Sequence, residues 1–429
     1  EPEGERQGEI GARHLMVLSR HVTSALSILE DENIIQGDGS KKAKVLTGSP
    51  FPEDQSTLTM FRRVTQVRQC METGRTVVLL HQDGIYTSLY DMLNQNYTDG
   101  VAGGKFCRLA IGSRSRQCEV HPNFRCVVIV DSNQAWKELP SPLLNRFEKM
   151  CVSVRDLLEP EFRQTEDQLW QLCRDFAKVA TLKPFESDLG SLNNSAVCPY
   201  LRSVFVGFNE EMLPSMLLRL QRAGSSPADA LQQTQHSLLE LATPEAVVKF
   251  AADKGLIGHT GTDERWWGGC EGINPLTEYF ERQTHSSLQD VINMHRRKPD
   301  PVALVVLTFS RMAINVSQHL EEASCTPRIL QLQAFNSEEE CRLNLEKFFS
   351  KADTSDMLVI QCQLHDATST TQVDWAKQIC EDLRAELLAG GIRKDVVFLV
   401  HLEKDDRADG VRQSYLFHQD SWTYTVVDA

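Results

Sequence analysis

The sequence contains no Cys-x-x-Cys pair, although 12 of its 429 residues are cysteine. Zinc ribbons and thioredoxin-type redox sites need that spacing, so its absence argues against both classes of protein. One close group, Cys118, His121 and Cys126 in "CEVHPNFRC", lacks a fourth ligand and the usual ligand spacing, so we expect no metal site there. Scattered cysteines are typical of free thiols in a reducing cytosol, which predicts a cytoplasmic location.

Long hydrophobic runs and excess positive charge are also missing. The sequence shows no secretory signal and no apolar run that could span a bilayer, so we expect no transmembrane segment. Lysine and arginine number 45 against 59 aspartates and glutamates, a net charge of −14. An acidic chain of this size is a poor general binder of nucleic acid, and we expect no nucleic-acid partner. The short basic stretches at 114–116 and 296–298 are interpreted as solvated surface.

What the sequence does contain is two sets of short apolar runs that alternate with amphipathic helical stretches. Such runs predict strands that are buried on both faces of a parallel sheet. The first set is "HLMVLS" (14–19), "KVLTG" (44–48), "TVVLL" (76–80), "FRCVVIVD" (124–131) and "MCVSV" (150–154). The second set is "VALVVLTFS" (302–310), "RILQLQAF" (328–335), "DMLVIQCQL" (356–364), "KDVVFLVHL" (394–402) and "WTYTVVD" (422–428). The pattern indicates an internal repeat of one five-stranded α/β unit.

The region between the two sets is predicted to be helical, and three domains follow. We place a first α/β unit at 13–154, a helical subdomain at 155–300 and a second α/β unit at 301–429. Only the first unit carries an insertion, residues 96–123, whose alternating pattern predicts a β-hairpin. This hairpin either lines a central pore or packs on an adjacent module.

Neither unit has the sequence of a phosphate-binding loop. A P-loop needs G-x-x-x-x-G-K-[ST], so that backbone N–H groups and a lysine surround the phosphates. The first strands lead instead into "SRHVTSA" and "TFSRMAINV", which contain no glycine and no lysine.

Acidic residues that hold Mg²⁺ should end the third strand of such a fold. The first unit has His81 and Gln82 there, with Asp83 one step too far, and the second unit has Gln361 and Cys362. These absences argue against ATP hydrolysis in either unit. Asn133 follows the fourth strand at a sensor-like position, although an ordinary turn residue is the alternative.

The stretch "SPLLNRFEK" resembles the arginine-finger region of AAA+ proteins. Seven blocks together resemble the mysterin family of giant ubiquitin ligases: "GSPFPEDQ", "CMETGRTVVLL", "SLYDMLNQNY", "HPNFRCVVIV", "PSPLLNRFEK", "ATPEAVVKFA" and "HSSLQDVI". The resemblance runs from about residue 13 to about residue 295 and implies degenerate P-loop-NTPase-like (AAA+) units. It also implies a longer cytosolic E3 ubiquitin ligase, with ATP and Mg²⁺ at neighbouring AAA+ modules, zinc in a RING finger and an E2 partner.

Several hypotheses stay open at this stage. The first is a non-catalytic scaffold that completes an AAA+ ring, in which Arg146, flanked by Asn145, acts as an arginine finger on the preceding module. Arg146 could instead form a purely structural contact, for example with Glu148. The others are an active ATPase, a ligase element with Cys118 as thioester carrier beside His121, and a helical interaction platform at 155–300. Because the sequence begins at Glu1 and ends just after "YTVVDA", we interpret it as a segment of a longer protein.

Overall fold

The structure is a computed structural model, and it describes most of the chain. The described residues are 13–20, 22–32, 34–35, 43–100, 103–111, 114–137, 139–180, 193–253, 279, 287–297, 302–308, 316, 320, 326–350, 354–364, 367–388, 393–402 and 422–427. They fall into two compact units, residues 1–156 and residues 157–429. The three predicted domain boundaries remain predictions.

Eight strands lie in the first unit. They are β1 (His14–Ser19), β2 (Lys44–Thr47), β3 (Val77–Leu80), β4 (Thr98–Asp99), β5 (Lys105–Ile111), β6 (Arg114–Val120), β7 (Cys126–Asp131) and β8 (Phe147–Cys151). Five of them form one parallel sheet in the order β2-β3-β7-β1-β8. The first strand of the chain therefore lies between the fourth and the fifth main strands.

The second sheet repeats this arrangement. Its strands are β9 (Ala303–Thr308), β10 (Pro327–Gln331), β11 (Met357–Leu364), β12 (Asp395–Leu402) and β13 (Thr423–Val426). They are all parallel, in the order β10-β11-β12-β9-β13. Counted along the chain, both sheets have the order second, third, fourth, first, fifth. The prediction of two parallel five-stranded α/β units is confirmed.

The central strands of each sheet are buried because they are apolar on both faces. In β1, Met16 and Leu18 join a core cluster that also holds Val128 of β7. Val17 points the other way and joins a second cluster with Ile129. Successive side chains of a strand project to opposite faces, so the continuous apolar run "HLMVLS" fills the cores on both sides of the sheet.

Thirteen helices connect or cover the strands in the described residues. In the first unit they are α1 (Val22–Asp31), α2 (Thr57–Thr73), α3 (Tyr90–Leu93), α4 (Ser132–Lys137) and α5 (Ser141–Leu144). The second unit has α6 (Pro160–Ala180), α7 (Asn194–Arg202), α8 (Met212–Arg222), α9 (Pro227–Leu241), α10 (Pro244–Asp253), α11 (Leu288–Arg296), α12 (Glu338–Phe349) and α13 (Ala367–Leu388). None of the described helices is long and apolar enough to cross a membrane.

Local signals set the ends of several helices. Gly74 ends α2 in the left-handed conformation, with φ 73°, and its N–H donates to the Cys70 carbonyl, as in a glycine C-cap. Ser337 caps α12 by accepting a hydrogen bond from the Glu340 N–H at 3.2 Å. The Glu340 carboxylate in turn accepts from the Asn336 N–H at 3.1 Å, so this capping box reaches back one residue further than usual.

The helical region at the start of the second unit has an aromatic core. The ring of Phe176 on α6 stacks on Phe205 and on Phe250, with centroids 5.2 and 4.6 Å apart. Trp170, one turn and a half earlier on α6, meets Phe208 edge to face at 5.5 Å. These rings hold α6, α10 and the turn after α7 together, because buried aromatic pairs add to the free energy of area burial.

Two predicted elements of the first unit are wrong in detail. The fifth strand was expected at 150–154, but β8 runs from Phe147 to Cys151. Only Phe147 of this edge strand is buried, so its pattern is not the apolar run that a central strand shows. The amphipathic stretch after the third strand, "IYTSLYDMLNQ", predicts a helix, but the structure has only a short 3-10 turn at Asp83–Ile85 and the four residues of α3 there.

The insertion at 96–123 forms a separate antiparallel sheet of β4, β5 and β6. Its side chains Cys107, Leu109, Cys118 and Val120 are buried in the same core cluster as α2 and α3. The opposite face of β5 and β6 is exposed, as at Arg108. One face of the insertion therefore packs on its own module.

Candidate functional site

The carboxyl edge of the first sheet is the place where ligands bind in open parallel α/β folds. Here β1 ends at Ser19 and α1 begins at Val22, so the connection consists of Arg20 and His21. A phosphate-binding loop needs a longer stretch, whose backbone N–H groups converge on the ligand. Two residues are too few to form such a loop.

The carboxyl end of β3 is occupied by packing contacts. The Gln82 side chain is 3% exposed, and its Nε2 donates a hydrogen bond to the Leu46 carbonyl of β2 at 3.3 Å. His81 has a left-handed backbone, with φ 51°. Its carbonyl oxygen lies so close to Gly48 that a Cβ at that position would overlap it. Gln82 therefore ties β2 to β3, and Asp83 lies in the turn beyond.

The sensor-like candidate Asn133 is the second residue of α4, directly after β7 ends at Asp131. This places its backbone at the carboxyl edge of the strand that neighbours β1. Its side chain lies outside the described part of the structure, so the sensor role stays a prediction.

The second sheet has no carboxylate at the two tested positions on β11. Gln361 is 7% exposed and Cys362 is 1% exposed. The Cys362 thiol donates to the Leu399 carbonyl of β12 at 3.6 Å, so both side chains belong to the interior of the sheet. The loop that follows β9, residues 309–315, lies outside the described residues.

Arg146 lies at the opposite, amino-terminal edge of the first sheet. It directly precedes β8, whose first residue, Phe147, is in register with His14, the first residue of β1. β1 spans six residues, which separates the two edges of the sheet by about 17 Å. Arg146 is therefore far from the carboxyl edge of its own unit.

The side chain of Arg146 contacts an aromatic ring of its own unit. Its guanidinium carbon lies 3.9 Å from the centre of the Tyr90 ring on α3. Tyr90 is 51% exposed, so we expect this cation–π contact to contribute about 0.5–1 kcal/mol. The neighbouring Asn145 carbonyl accepts a hydrogen bond from Arg13 at 3.1 Å. Together these contacts hold the turn that carries Arg146.

The Cys118 site does not suit a thioester carrier. Cys118 is 3% exposed, and its thiol donates to the Arg116 carbonyl at 3.6 Å. Burial raises the pKa of the thiol, although the reactive form is the thiolate. His121 is engaged elsewhere, since its Nδ1 accepts the Asn123 N–H at 3.1 Å. Among the described residues, no group of three or more His, Cys, Asp or Glu side chains could hold a metal ion.

Arg296, in the basic stretch at 296–298, is not solvated surface, which corrects the sequence interpretation for this residue; Arg297 is exposed, as expected, and residue 298 lies outside the described residues. Arg296 lies 2.6 Å from an Asp356 oxygen and 2.9 Å from an Asp395 oxygen, at the starts of β11 and β12. The Asp395 side chain is 1% exposed and also accepts from Arg393 at 3.2 Å and from the Val302 N–H at 2.8 Å. This charged cluster fastens α11 to the amino edge of the second sheet.

The cluster also shifts the pKa of Asp356. Burial works to raise this pKa, but the Thr326 backbone N–H and the Arg296 guanidinium outweigh burial, and the pKa is lowered. The carboxylate is therefore ionised at neutral pH and stays paired with Arg296.

Sequence reasoning missed Tyr90, Arg13 and the aspartates that bind Arg296. One signal was available in the sequence itself. An arginine directly precedes the first residue of β1, of β7 and of β8 in "ARHLM", "FRCVV" and "NRFEK". This regularity marks one edge of the sheet, but it becomes visible only when the strand order is known.

A parallel α/β unit with this strand order, followed by helices, is the arrangement that an AAA-type fold has. Residues 7–158 match the family model described as "RNF213 AAA domain". The chain accordingly resembles the AAA region of the RNF213, or mysterin, family.

Three curated relatives carry the same name. The mouse E3 ubiquitin-protein ligase RNF213 is 28% identical over 446 aligned positions, which cover 100% of this chain and 8% of that protein. The human protein is 29% identical over 86% of the chain and 7% of its own length. The zebrafish E3 ubiquitin-protein ligase rnf213-beta is 35% identical over 48% of the chain and 4% of its own length. The chain thus spans less than a tenth of the relatives that it matches.

Proposed function

We propose that this chain is a non-catalytic AAA+ scaffold segment of an RNF213-type E3 ubiquitin ligase in the cytoplasm. The observation that carries the proposal is the two-residue connection between β1 and α1, which leaves no room for a phosphate-binding loop. The engagement of Gln82 with the Leu46 carbonyl supports it, because this side chain stands where an acidic Mg²⁺ ligand is expected.

Within this proposal, the first unit completes a ring of AAA+ modules and presents Arg146 to the preceding module. The position of Arg146 at the amino edge of the sheet supports action on a different module. A planar guanidinium is suited to this task, since it binds phosphate oxygens with two parallel hydrogen bonds. ATP and Mg²⁺ would be held by other modules, zinc by a RING finger elsewhere, and the E2 enzyme by other parts of the protein.

The scaffold role is tested with the chain itself. We expect no ATP hydrolysis and no Mg²⁺-dependent ATP binding at micromolar concentrations, measured by phosphate release and by calorimetry. Mg²⁺-dependent micromolar binding would favour the alternative, an active ATPase module.

The arginine-finger role is tested in the full-length protein. We expect Arg146→Ala to lower ATP turnover at least tenfold, because a finger in trans stabilises the charge of the transferring phosphoryl group. Arg116→Ala, which removes one exposed charge from the insertion, is the matched control and should leave turnover unchanged. Equal turnover of the wild type and Arg146→Ala would leave Arg146 as a structural contact with Tyr90.

A further inference from the structure

Three arginines stand side by side at the amino edge of the first sheet. Arg125, Arg13 and Arg146 directly precede β7, β1 and β8, which are neighbours in the sheet. The strands begin in register, because His14 aligns with Phe147 and Leu15 aligns with Val127. Since adjacent strands lie about 4.8 Å apart, the three backbone positions form a row about 10 Å long. We call these three residues the arginine row.

The arginine row is held by uncharged partners. Arg125 donates to the carbonyls of Pro122 and Phe124 at 3.0 and 2.8 Å. Arg13 donates to the Asn145 carbonyl, and Arg146 lies over Tyr90. Within the part of the chain that the structure describes, no carboxylate forms an ion pair with any of the three. The positive charge of the row is therefore not neutralised locally.

The second sheet provides an internal comparison at the same edge. There, Asp395 begins β12 and accepts the Val302 N–H next to β9. In the first sheet the acceptor lies on the other strand of the corresponding pair. His14 of β1 accepts the Cys126 N–H of β7 at 3.3 Å. A carboxylate neutralises arginines in the second unit, whereas an uncharged imidazole takes its place in the first.

Among the described residues, two carboxylates lie close in sequence to the row or to Tyr90, and neither pairs with an arginine of the row. Asp91, next to Tyr90, lies 3.8 Å from Arg108 of the insertion. Glu148 is exposed on β8, two residues after Arg146. Three uncompensated arginines in a chain of net charge −14 thus form a local positive site.

We propose that the arginine row is an anion-binding site for an oligophosphate chain. Each guanidinium keeps several N–H donors beyond those used in the contacts above, and its fork matches phosphate oxygens. An oligophosphate carries several charges along one short chain, so adjacent arginines bind it simultaneously. The site shares Arg146 with the proposed function, but it requires no nucleotide hydrolysis in any module.

Calorimetry with the 429-residue chain and inorganic tripolyphosphate tests the proposal. We expect binding that weakens as salt rises, and a dissociation constant at least tenfold higher in Arg13→Ala/Arg146→Ala, which leaves the Arg125 turn intact. The matched control is Arg114→Ala/Arg116→Ala, which removes two exposed charges from β6 of the insertion and should bind as the wild type does. Circular dichroism verifies that all variants are folded.

Further arms of the experiment identify the ligand class. ATP without Mg²⁺ should bind at least as well as tripolyphosphate, and a tighter complex with ATP means that the row serves a nucleotide. Equal weakening by the two double variants overturns the proposal, as does a hexaglutamate peptide that binds as tightly as tripolyphosphate. If full-length Arg146→Ala loses ATP turnover but the chain does not bind tripolyphosphate, the arginine-finger role of Arg146 is supported. The anion-binding role of the arginine row is then wrong.

Discussion

The Nδ1 atom of His14 lies 3.3 Å from the backbone nitrogen of Cys126 and accepts its hydrogen bond inside the first unit. An accepting nitrogen carries no proton, so the imidazole is neutral. His14 is 3% exposed, and burial lowers its pKa from 6.5 to about 4; the Met92 backbone opposes this shift, and the charge of Arg125 adds to it. A neutral imidazole is consequently part of the folded state.

This relationship predicts a stability that depends on pH. Between pH 6.5 and pH 4 the unfolded state binds a proton at His14 and the folded state does not, so unfolding becomes easier as pH falls. The neutral His14 therefore contributes fully to the free energy of unfolding above pH 6.5. At pH 4.5 the free energy of unfolding is lower by about 2–3 kcal/mol. Urea unfolding curves at pH 7.5 and 4.5, followed by circular dichroism, measure the difference.

His14→Asn is the control for this prediction, because the asparagine oxygen can accept the Cys126 N–H without titrating. Carboxylates contribute equally to both proteins, so the difference between their pH profiles isolates His14. Parallel profiles for the wild type and the variant would show that the imidazole is not held in its neutral form.

We expect the Asp395 carboxylate to contribute strongly to the stability of the second unit. Its removal leaves Arg296 and Arg393 without their buried partner, and Asp395→Ala should lower the free energy of unfolding by about 3–5 kcal/mol. Glu245→Ala is the matched control, since Glu245 pairs with Lys249 at 2.7 Å but is 68% exposed. It should cost less than about 1 kcal/mol. Similar midpoints for the two variants in urea would contradict a dominant role of the buried cluster.

The close approach of Gly48 to the His81 carbonyl predicts that a larger residue at position 48 destabilises the first unit. Gly48→Ala places a methyl group against the His81 carbonyl, and the two strands can move little, since the Gly48 N–H bonds the Leu80 carbonyl at 2.7 Å. We expect a loss of about 1–3 kcal/mol in stability. Gly104→Ala, whose Cβ would have no heavy atom nearer than 3.7 Å, should change stability by less than about 0.5 kcal/mol. Thermal unfolding of both variants tests this prediction. Equal melting temperatures would show that the His81 carbonyl does not exclude a methyl group at position 48.

The central strands were predictable because their physical signal is local. A strand such as β1 or β12 is buried on both faces, so most of its residues are apolar, and the apolar run is visible in the sequence. The edge strand β8 was misplaced by three residues because its faces are mostly exposed and its composition is mixed. The short α3 was overestimated because helical periodicity does not reveal where tertiary contacts end a helix.

The candidate site was predictable only in part, for a different physical reason. Arg146 was found through its surrounding motif, but its contact with Tyr90 joins residues 56 positions apart (146 − 90). The partners of Arg296 lie about 60 and 99 positions further along the chain, at Asp356 and Asp395. Such pairs depend on strand order and register, which a single sequence does not contain.

The connection between β1 and α1 has an evolutionary consequence. Substitutions change side chains, but they do not change the number of residues between a strand and a helix. Converting Arg20 and His21 to glycine and lysine would therefore not recreate a loop that surrounds a phosphate. Insertions would be required, and each would rotate or displace α1, whose Ala25 and Leu29 are packed against the sheet. Point substitutions alone would therefore not give this connection the length of a phosphate-binding loop.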